Sequence, residues 1–369
     1  MSDLAPTSPT ASPALLPYRH GCPADADPFA PRLPGSDPAD DGGHGVDGGV
    51  GILLMAYGGP ASLDEVPAYY TDIRGGRPPS QELLDELLER YEAIGGRSPL
   101  AEVTERQRRA LEGELARRGL PVPVHVGYKH SPPFVAETVG RMADEGVRRI
   151  LALALAPHFS TMTACSYCQR VDAARRTLQE RDGGPAVRYA MVADWHAEPA
   201  FIEALADVTR TALATLSGDG RPWVVFSAHS LPERIVGLGD PYPDLLRETA
   251  RLVAETLGLS GWSFAFQSAA RTGDAWLGPD LSTELERLAA AGVRSVVVSS
   301  VGFVASNLEL LYDIDIEARA RAAELGMRLV RAAALDDHPR LVAALADIVE
   351  RALRRGRRSS TARASSGAA

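Results

Sequence analysis

The feature that most constrains this chain is an alternation. Short runs dominated by apolar residues occur at Gly51 to Ala56, Val122 to Tyr128, Arg149 to Ala156, Val187 to Val192, Trp223 to Ala228, Ser263 to Gln267, Ser295 to Val301 and Arg328 to Ala332. Between them lie stretches with helical periodicity, among them Gln81 to Ala93, Thr104 to Arg118, Phe134 to Glu145, Glu198 to Leu216, Pro243 to Leu257 and Asp280 to Ala291. Most of the short runs lack the polar alternation of a half-buried strand, so both faces need cover, as in a parallel sheet. Intervening helices supply that cover through right-handed βαβ units. The eight runs fall into two sets of four, which predicts an α/β fold of two doubly wound lobes facing each other across a cleft.

Boundaries follow from composition. Residues 1–48 hold nine Pro and six Gly without apolar periodicity; such a segment cannot offset its ordering entropy, and a disordered extension is expected. Residues 49–216 form the expected N-terminal lobe, with an inserted helical segment 60–119, and residues 217–353 the C-terminal lobe. Residues 354–369, rich in Arg, Ser and Ala, read as a disordered basic tail. With 39 Lys+Arg against 48 Asp+Glu, the net charge of −9 repels phosphate backbones, which argues against nucleic-acid binding. The longest apolar run, Ile150 to Ala156, falls far short of the roughly 20 residues that span a bilayer. The N-terminus has no basic start before an apolar stretch, and three Cys make no disulfide framework. A cytoplasmic protein without a membrane span is expected.

In doubly wound sheets, ligands bind outside the carboxyl ends of the strands. Tyr57-Gly58-Gly59-Pro60, Lys129-His130, Pro157-His158-Phe159-Ser160, His229-Ser230-Leu231-Pro232, Ser268 and Gly302-Phe303 all fall there. No G-x-G-x-x-G fingerprint follows any strand and no G-x-x-x-x-G-K-[ST] loop occurs, which excludes the familiar nucleotide-binding loops.

Several of these residues can carry chemistry. Glu309, Asp313 and Glu317 recur at i, i+4 and i+8 on a predicted helix, placing three carboxylates in one row. Spacing alone suits a solvated acidic face. The helix is otherwise largely apolar, however, and a row of acids directed into a cleft calls for a cation, naturally a divalent ion. His229 ends a buried strand, where it is either a hydrogen-bonded structural residue or a neutral imidazole able to accept a proton or bind metal. One imidazole and one carboxylate make an open metal site, suited to an ion that is passed on. Tyr57 sits at a Gly-rich turn. Arg74, Arg90 and Tyr91 lie in or beside Gly-rich segments, where Arg suits carboxylates and aromatic rings suit a flat ligand; solvated Arg beside core Tyr is the plain alternative. Cys165 and Cys168 form a C-x-x-C, but a four-cysteine metal site is arithmetically impossible with only Cys22 remaining, so two helical thiols are expected.

From about Gly51 to about Leu353 the chain resembles the ferrochelatases, most of all their soluble bacterial branch, the coproporphyrin III ferrochelatases. The resemblance rests on long collinear motifs. They are Met55-Ala56-Tyr57-Gly58, Tyr69-Tyr70-Thr71-Asp72-Ile73-Arg74, Arg90-Tyr91-Glu92-Ala93-Ile94-Gly95-Gly96 with Ser98-Pro99-Leu100, and Ala156-Pro157-His158-Phe159-Ser160. Further along come Ser227-Ala228-His229-Ser230-Leu231-Pro232, Asp240-Pro241-Tyr242-Pro243, Gln267-Ser268, Trp276-Leu277-Gly278-Pro279 and Val301-Gly302-Phe303-Val304. It implies two Rossmann-like lobes in a chelatase-like fold and insertion of ferrous iron into coproporphyrin III, forming Fe-coproporphyrin III in heme biosynthesis. Protoporphyrin IX as substrate, or non-catalytic porphyrin binding, are the alternatives.

By the same resemblance His229 and Glu309 are the metal-site pair and Tyr57 an axial ligand of the product iron. Arg74, Arg90, Tyr91, Ser98 and Tyr167 line the macrocycle and its propionates. Asp313 and Glu317 extend a polar path for protons or iron. The partners implied are coproporphyrin III, ferrous iron and a downstream heme-pathway enzyme that receives the product. The sequence departs from the family at Ser306-Asn307-Leu308-Glu309, where an acidic residue and a His usually precede the Glu. It also lacks the carboxyl-terminal cysteines of relatives that carry an iron–sulfur cluster, so no complete cluster, and no cofactor beyond substrate iron, is expected.

Overall fold

The computed structural model describes residues 49–181, 185–216, 222–269 and 273–364, the side chains of 355–364 excepted. The expected extension 1–48 lies outside the described residues. Among the described residues there are eight strands: β1 (Val50–Ala56), β2 (Val124–Tyr128), β3 (Arg149–Ala154), β4 (Arg188–Val192), β5 (Trp223–His229), β6 (Trp262–Gln267), β7 (Ser295–Ser300) and β8 (Arg328–Arg331). They build two four-stranded parallel sheets of the same plan, in the orders β2-β1-β3-β4 and β6-β5-β7-β8. In each sheet the first strand of the set is central, so the carboxyl ends of β1 and β5 lie at matching switch points. Tyr57 follows the one and His229 ends the other.

The helices in chain order are α1 (Val66–Ile73), α2 (Gln81–Ala93), α3 (Leu100–Arg117), α4 (Val135–Asp144), α5 (Ala164–Glu180), α6 (Pro199–Ala214), α7 (Arg234–Gly237), α8 (Tyr242–Leu257), α9 (Leu281–Ala290), α10 (Arg319–Glu324) and α11 (Pro339–Ala364). Their ends follow local chemistry. Ser80 caps α2 by accepting from the Leu83 amide, Asp280 caps α9 by accepting from the Thr283 amide, and Gly258 ends α8 in the left-handed conformation. α11 runs beyond residue 354, where the sequence reading placed an unstructured tail.

Burial explains the apolar strands. Every residue of β1 is buried. Alternate residues serve different cores: Ile52 and Leu54 face one way, Leu53 and Met55 the other. Leu53 and Met55 pack with Val135, Val139 and Tyr189 under α4 and α5. In the second sheet Val225, Val296 and Val298 pack with Leu285 and Ile314. The remaining faces of both sheets share one continuous core, in which Ile52, Leu54 and Val192 join Val224, Phe226 and Val297 through residues of α3, α6, α8 and α11.

That shared core ties the two lobes together. α6 belongs by sequence to the first half but packs on α8, α11 and β7 of the second. The hydroxyls of Thr209 on α6 and Ser299 on β7 lie 2.8 Å apart, both buried. α11 in turn packs on α3 of the first half. The reason is geometric: a helix with apolar residues on more than one side fills the space between two sheets better than the outside of one.

Candidate active site

A cleft of about 1000 Å³ opens at the carboxyl ends of both sheets. Its wall contains Tyr57, Arg74, Arg90, Tyr91, Ser98, Tyr167, His229, Glu309, Asp313 and Glu317. The structure thus brings every candidate side chain to one place, from segments as far apart as residues 57 and 317.

The second-lobe wall centres on His229. Its imidazole Nδ1 donates to Glu309 Oε2 at 2.9 Å, and its backbone carbonyl accepts from the Tyr242 hydroxyl at 3.0 Å. Next door, the Ser230 amide donates to the Gln267 carbonyl and the Ser230 hydroxyl to the Leu277 carbonyl. Gly302 allows this strand end to sit close to the turn after β7, since a Cβ there would stand 2.7 Å from that of Ala228. Burial opposes a charge on His229, but the Glu309 carboxylate outweighs it and raises the imidazole's pKa above its ordinary value. For Glu309, burial pushes upward while His229 and Ser268 hold the carboxyl below the usual range. Engaging Nδ1 leaves Nε2 as the imidazole's remaining site for a proton or metal.

Beyond Glu309 the chain enters a π-helix, Leu310–Ala318, wider than the α-helix expected, and passes into α10. Hydrophobic periodicity cannot separate the two helix types. Asp313 is buried, and desolvation plus the neighbouring Glu309 charge pushes its pKa to about 6. The Ser268 hydroxyl donates to Asp313. Ser268 itself holds φ +61°, an unusual conformation for a residue with a Cβ and one that concentrates at functional sites. Glu317 is half-exposed. Among the described residues no group of three or more His, Cys, Asp or Glu is arranged to hold a metal ion, so His229 and Glu309 stand as a two-donor pair.

The divergent Ser306-Asn307 pair has a structural task. Asn307 Oδ1 accepts from the Leu310 amide at the start of the π-helix, and Ser306 binds Asp336 through both amide and hydroxyl. Gln107 donates to the Val304 and Asp336 carbonyls, tying the same turn to α3.

The first-lobe wall is built differently. Tyr57 projects from the turn after β1 and is 43% exposed to the cleft. Gly58 holds φ +93°, and a Cβ there would meet the Ser131 Oγ at 2.4 Å. The Tyr57 ring lies 4.5 Å from the His130 ring, and Lys129 Nζ stands 5.5 Å from the Tyr57 ring centre and 5.9 Å from that of Tyr167. His130 Nδ1 lies 2.6 Å from Asp72. Desolvation nevertheless pushes the His130 pKa down to about 4 and, with help from Arg170, that of Lys129 to about 8. Tyr91 and Tyr167 line the cleft but are almost fully buried. The Ser98 hydroxyl packs on Gly59 and accepts from the Leu100 amide.

The two arginines differ. Arg74 lies beside the Tyr70 ring at 5.9 Å, has no carboxylate within 4.0 Å among the described residues, and its Nε is buried without a hydrogen-bond partner. Arg90 already meets acids: Nη1 is 3.3 Å from Asp313 and Nη2 is 3.7 Å from Glu317. Away from these walls, Cys165 is a buried free thiol on α5, and the buried Cys168 sulfur lies 3.3 Å from the Tyr189 hydroxyl.

Sequence reasoning assigned no role to Lys129, His130, Asp72, Ser268 or Tyr242. Lys129, His130 and Ser268 were visible as strand-end residues, the one signal that marks them. Asp72 and Tyr242 stand within motifs of the family resemblance, but their tasks emerge only from contacts the fold creates.

Two sheets of matching order with an imidazole–carboxylate pair over a large cleft define a two-lobed α/β enzyme of the chelatase type. The sequence pattern of the ferrochelatase family matches residues 49–353. The chain is 43% identical over 306 residues to a ferrochelatase of Deinococcus radiodurans, covering 82% of this chain and 95% of that protein. It is 41% identical over 307 residues to a coproporphyrin III ferrochelatase of Halalkalibacterium halodurans, covering 82% of this chain and 97% of that protein. Among solved structures, SirB from Bacillus subtilis with Fe3+ aligns with a TM-score of 0.51 at 12% identity, over 82% of this chain and 95% of that one, a likeness of fold alone. The chain belongs to the ferrochelatase family, lyases that insert a metal into a porphyrin. No helix among the described residues is long and apolar enough to cross a membrane.

Proposed function

We propose that the porphyrin is coproporphyrin III, that ferrous iron is the metal, and that the product is Fe-coproporphyrin III, made without a resident cofactor. The observation that carries this reading is the His229–Glu309 contact of 2.9 Å on one cleft wall, with Tyr57 supplied by the other lobe. Several relatives at about 40% identity are named for coproporphyrin III. Arg74 and Lys129, cationic and without carboxylate partners within 4.0 Å among the described residues, suit a macrocycle with four carboxylate arms.

Metallation requires that two pyrrole N–H protons leave while the iron sheds water. His229 takes a pyrrole proton at Nε2 once its own extra proton has passed to Glu309 or to water. Glu309 stabilises the imidazolium and gives iron a second donor. Asp313, poised near neutrality, and Glu317 lead protons outward. Tyr57, on the facing wall, would offer its phenol oxygen as a ligand to the product iron. Arg74, Arg90, Tyr91, Ser98 and Tyr167 orient the macrocycle and its propionates, and the product passes to the enzyme that next acts on it.

The test is anaerobic incubation of the full chain with ferrous iron and either coproporphyrin III or protoporphyrin IX, followed by absorbance. Faster turnover of coproporphyrin III is expected. Preference for protoporphyrin IX would overturn the substrate, and binding without metallation would make the chain a porphyrin carrier.

A further inference from the structure

Arg90 stands between two demands on one guanidinium. It reaches from α2 in the first half to the π-helix of the second, with Nη1 3.3 Å from Asp313, Nη2 3.7 Å from Glu317 and 3.8 Å from Glu86, and its guanidinium carbon 4.9 Å from the Tyr312 ring centre. All three ion-pair distances exceed the 2.7–2.9 Å of a tight charge-assisted hydrogen bond. The guanidinium is therefore surrounded by acids, holding one long hydrogen bond to Asp313 and looser ion pairs to Glu317 and Glu86. The same side chain lines the cleft.

We propose that Arg90 is an exchange residue: a macrocycle carboxylate competes with Glu317 and Asp313 for its guanidinium, and Glu317 thereby sets how tightly a polycarboxylate macrocycle is held. This rests on the reading of the substrate given above. The competition is uneven. Glu317 is 50% exposed, so water replaces Arg90 at little cost. Asp313 is buried but keeps the Ser268 hydroxyl when Arg90 turns away. The Tyr312 face supports the guanidinium plane while its N–H fork redirects. Arg74, with no carboxylate within 4.0 Å among the described residues, binds a substrate arm without any such exchange. Glu317 is thus a positioning residue that acts through Arg90.

The experiment is a fluorescence titration of coproporphyrin III, without iron, on the full chain in four forms: unaltered, Glu317→Gln, Arg90→Gln and the double variant. With Arg90 present, Glu317→Gln should tighten the Kd about two- to five-fold. With Gln at position 90 the same substitution should leave the Kd unchanged. Equal tightening in both backgrounds would overturn the exchange, because it would report a general loss of negative charge; so would no change in either. Porphyrin that fails to bind the unaltered chain would overturn the functional reading and the exchange together, whereas binding without coupling would overturn the exchange alone.

Discussion

The two walls of the cleft start from the same plan and end with opposite chemistry. Each is built at the carboxyl end of a central parallel strand, β1 or β5. At β5 the fold places an imidazole against a carboxylate and continues in a row of acids, and the pair raises the His229 pKa. At β1 it places a phenol beside Lys129 and His130, and burial lowers both pKa values, His130 to about 4. Repeating a fold fixes where functional residues stand; the side chains that desolvate or pair with them decide their charge. Under the function proposed above, the β5 wall would handle protons and the incoming cation, and the β1 wall would hold the flat ring and its anionic arms.

The sharpest way to break this division is to exchange effects between the walls. His229→Ala should lower iron insertion by at least about 100-fold while porphyrin binding, read by absorbance, persists. Near-normal turnover would remove His229 from the chemistry. Arg74→Ala should weaken coproporphyrin III binding about tenfold in a titration, with smaller effect on turnover at saturating porphyrin. An unchanged dissociation constant would show that this wall does not grip the substrate's arms.

Acid sensitivity separates the walls by sign. His130 stays neutral in the folded protein down to about pH 4, against an ordinary 6.5 when unfolded. Its depressed folded-state pKa contributes stability that is full above pH 6.5 and is lost as pH falls toward 4. His130→Gln should flatten the fall in Tm across that window; an identical slope would place the cause elsewhere. Asp313 is the reverse case, its pKa raised from 3.8 to about 6. Its relative contribution is full below pH 3.8 and is lost as pH rises through 6, so Asp313→Asn should gain a few degrees of Tm at pH 8 and little at pH 4. A uniform gain would mean that packing, not charge, is responsible.

Much of the frame was legible because fully covered strands leave an uninterrupted apolar signature, and all eight occur within about two residues of the predicted runs. His229 and Tyr57 were legible as polar residues bordering those runs, and Glu309 as the first of three carboxylates at helical spacing. Three features were not. The φ of Ser268 leaves no compositional trace. The Asp72–His130 contact joins residues 58 apart in sequence. Leu310–Ala318 carries apolar spacing that serves a π-helix as readily as an α-helix. At the departure from the family pattern, Asn307 starts the π-helix by accepting from the Leu310 amide, a task its residue type alone does not announce.

The exchange of helices between halves has a consequence for anyone who would cut the chain. A fragment ending at residue 216 would carry α6, including buried Phe201 and Leu205, with no partner sheet to hide them. The complementary piece would lack one of its own coverings. Dissecting this enzyme at the seam between its sequence halves should yield two sticky, insoluble fragments, and only their co-expression should restore a working cleft.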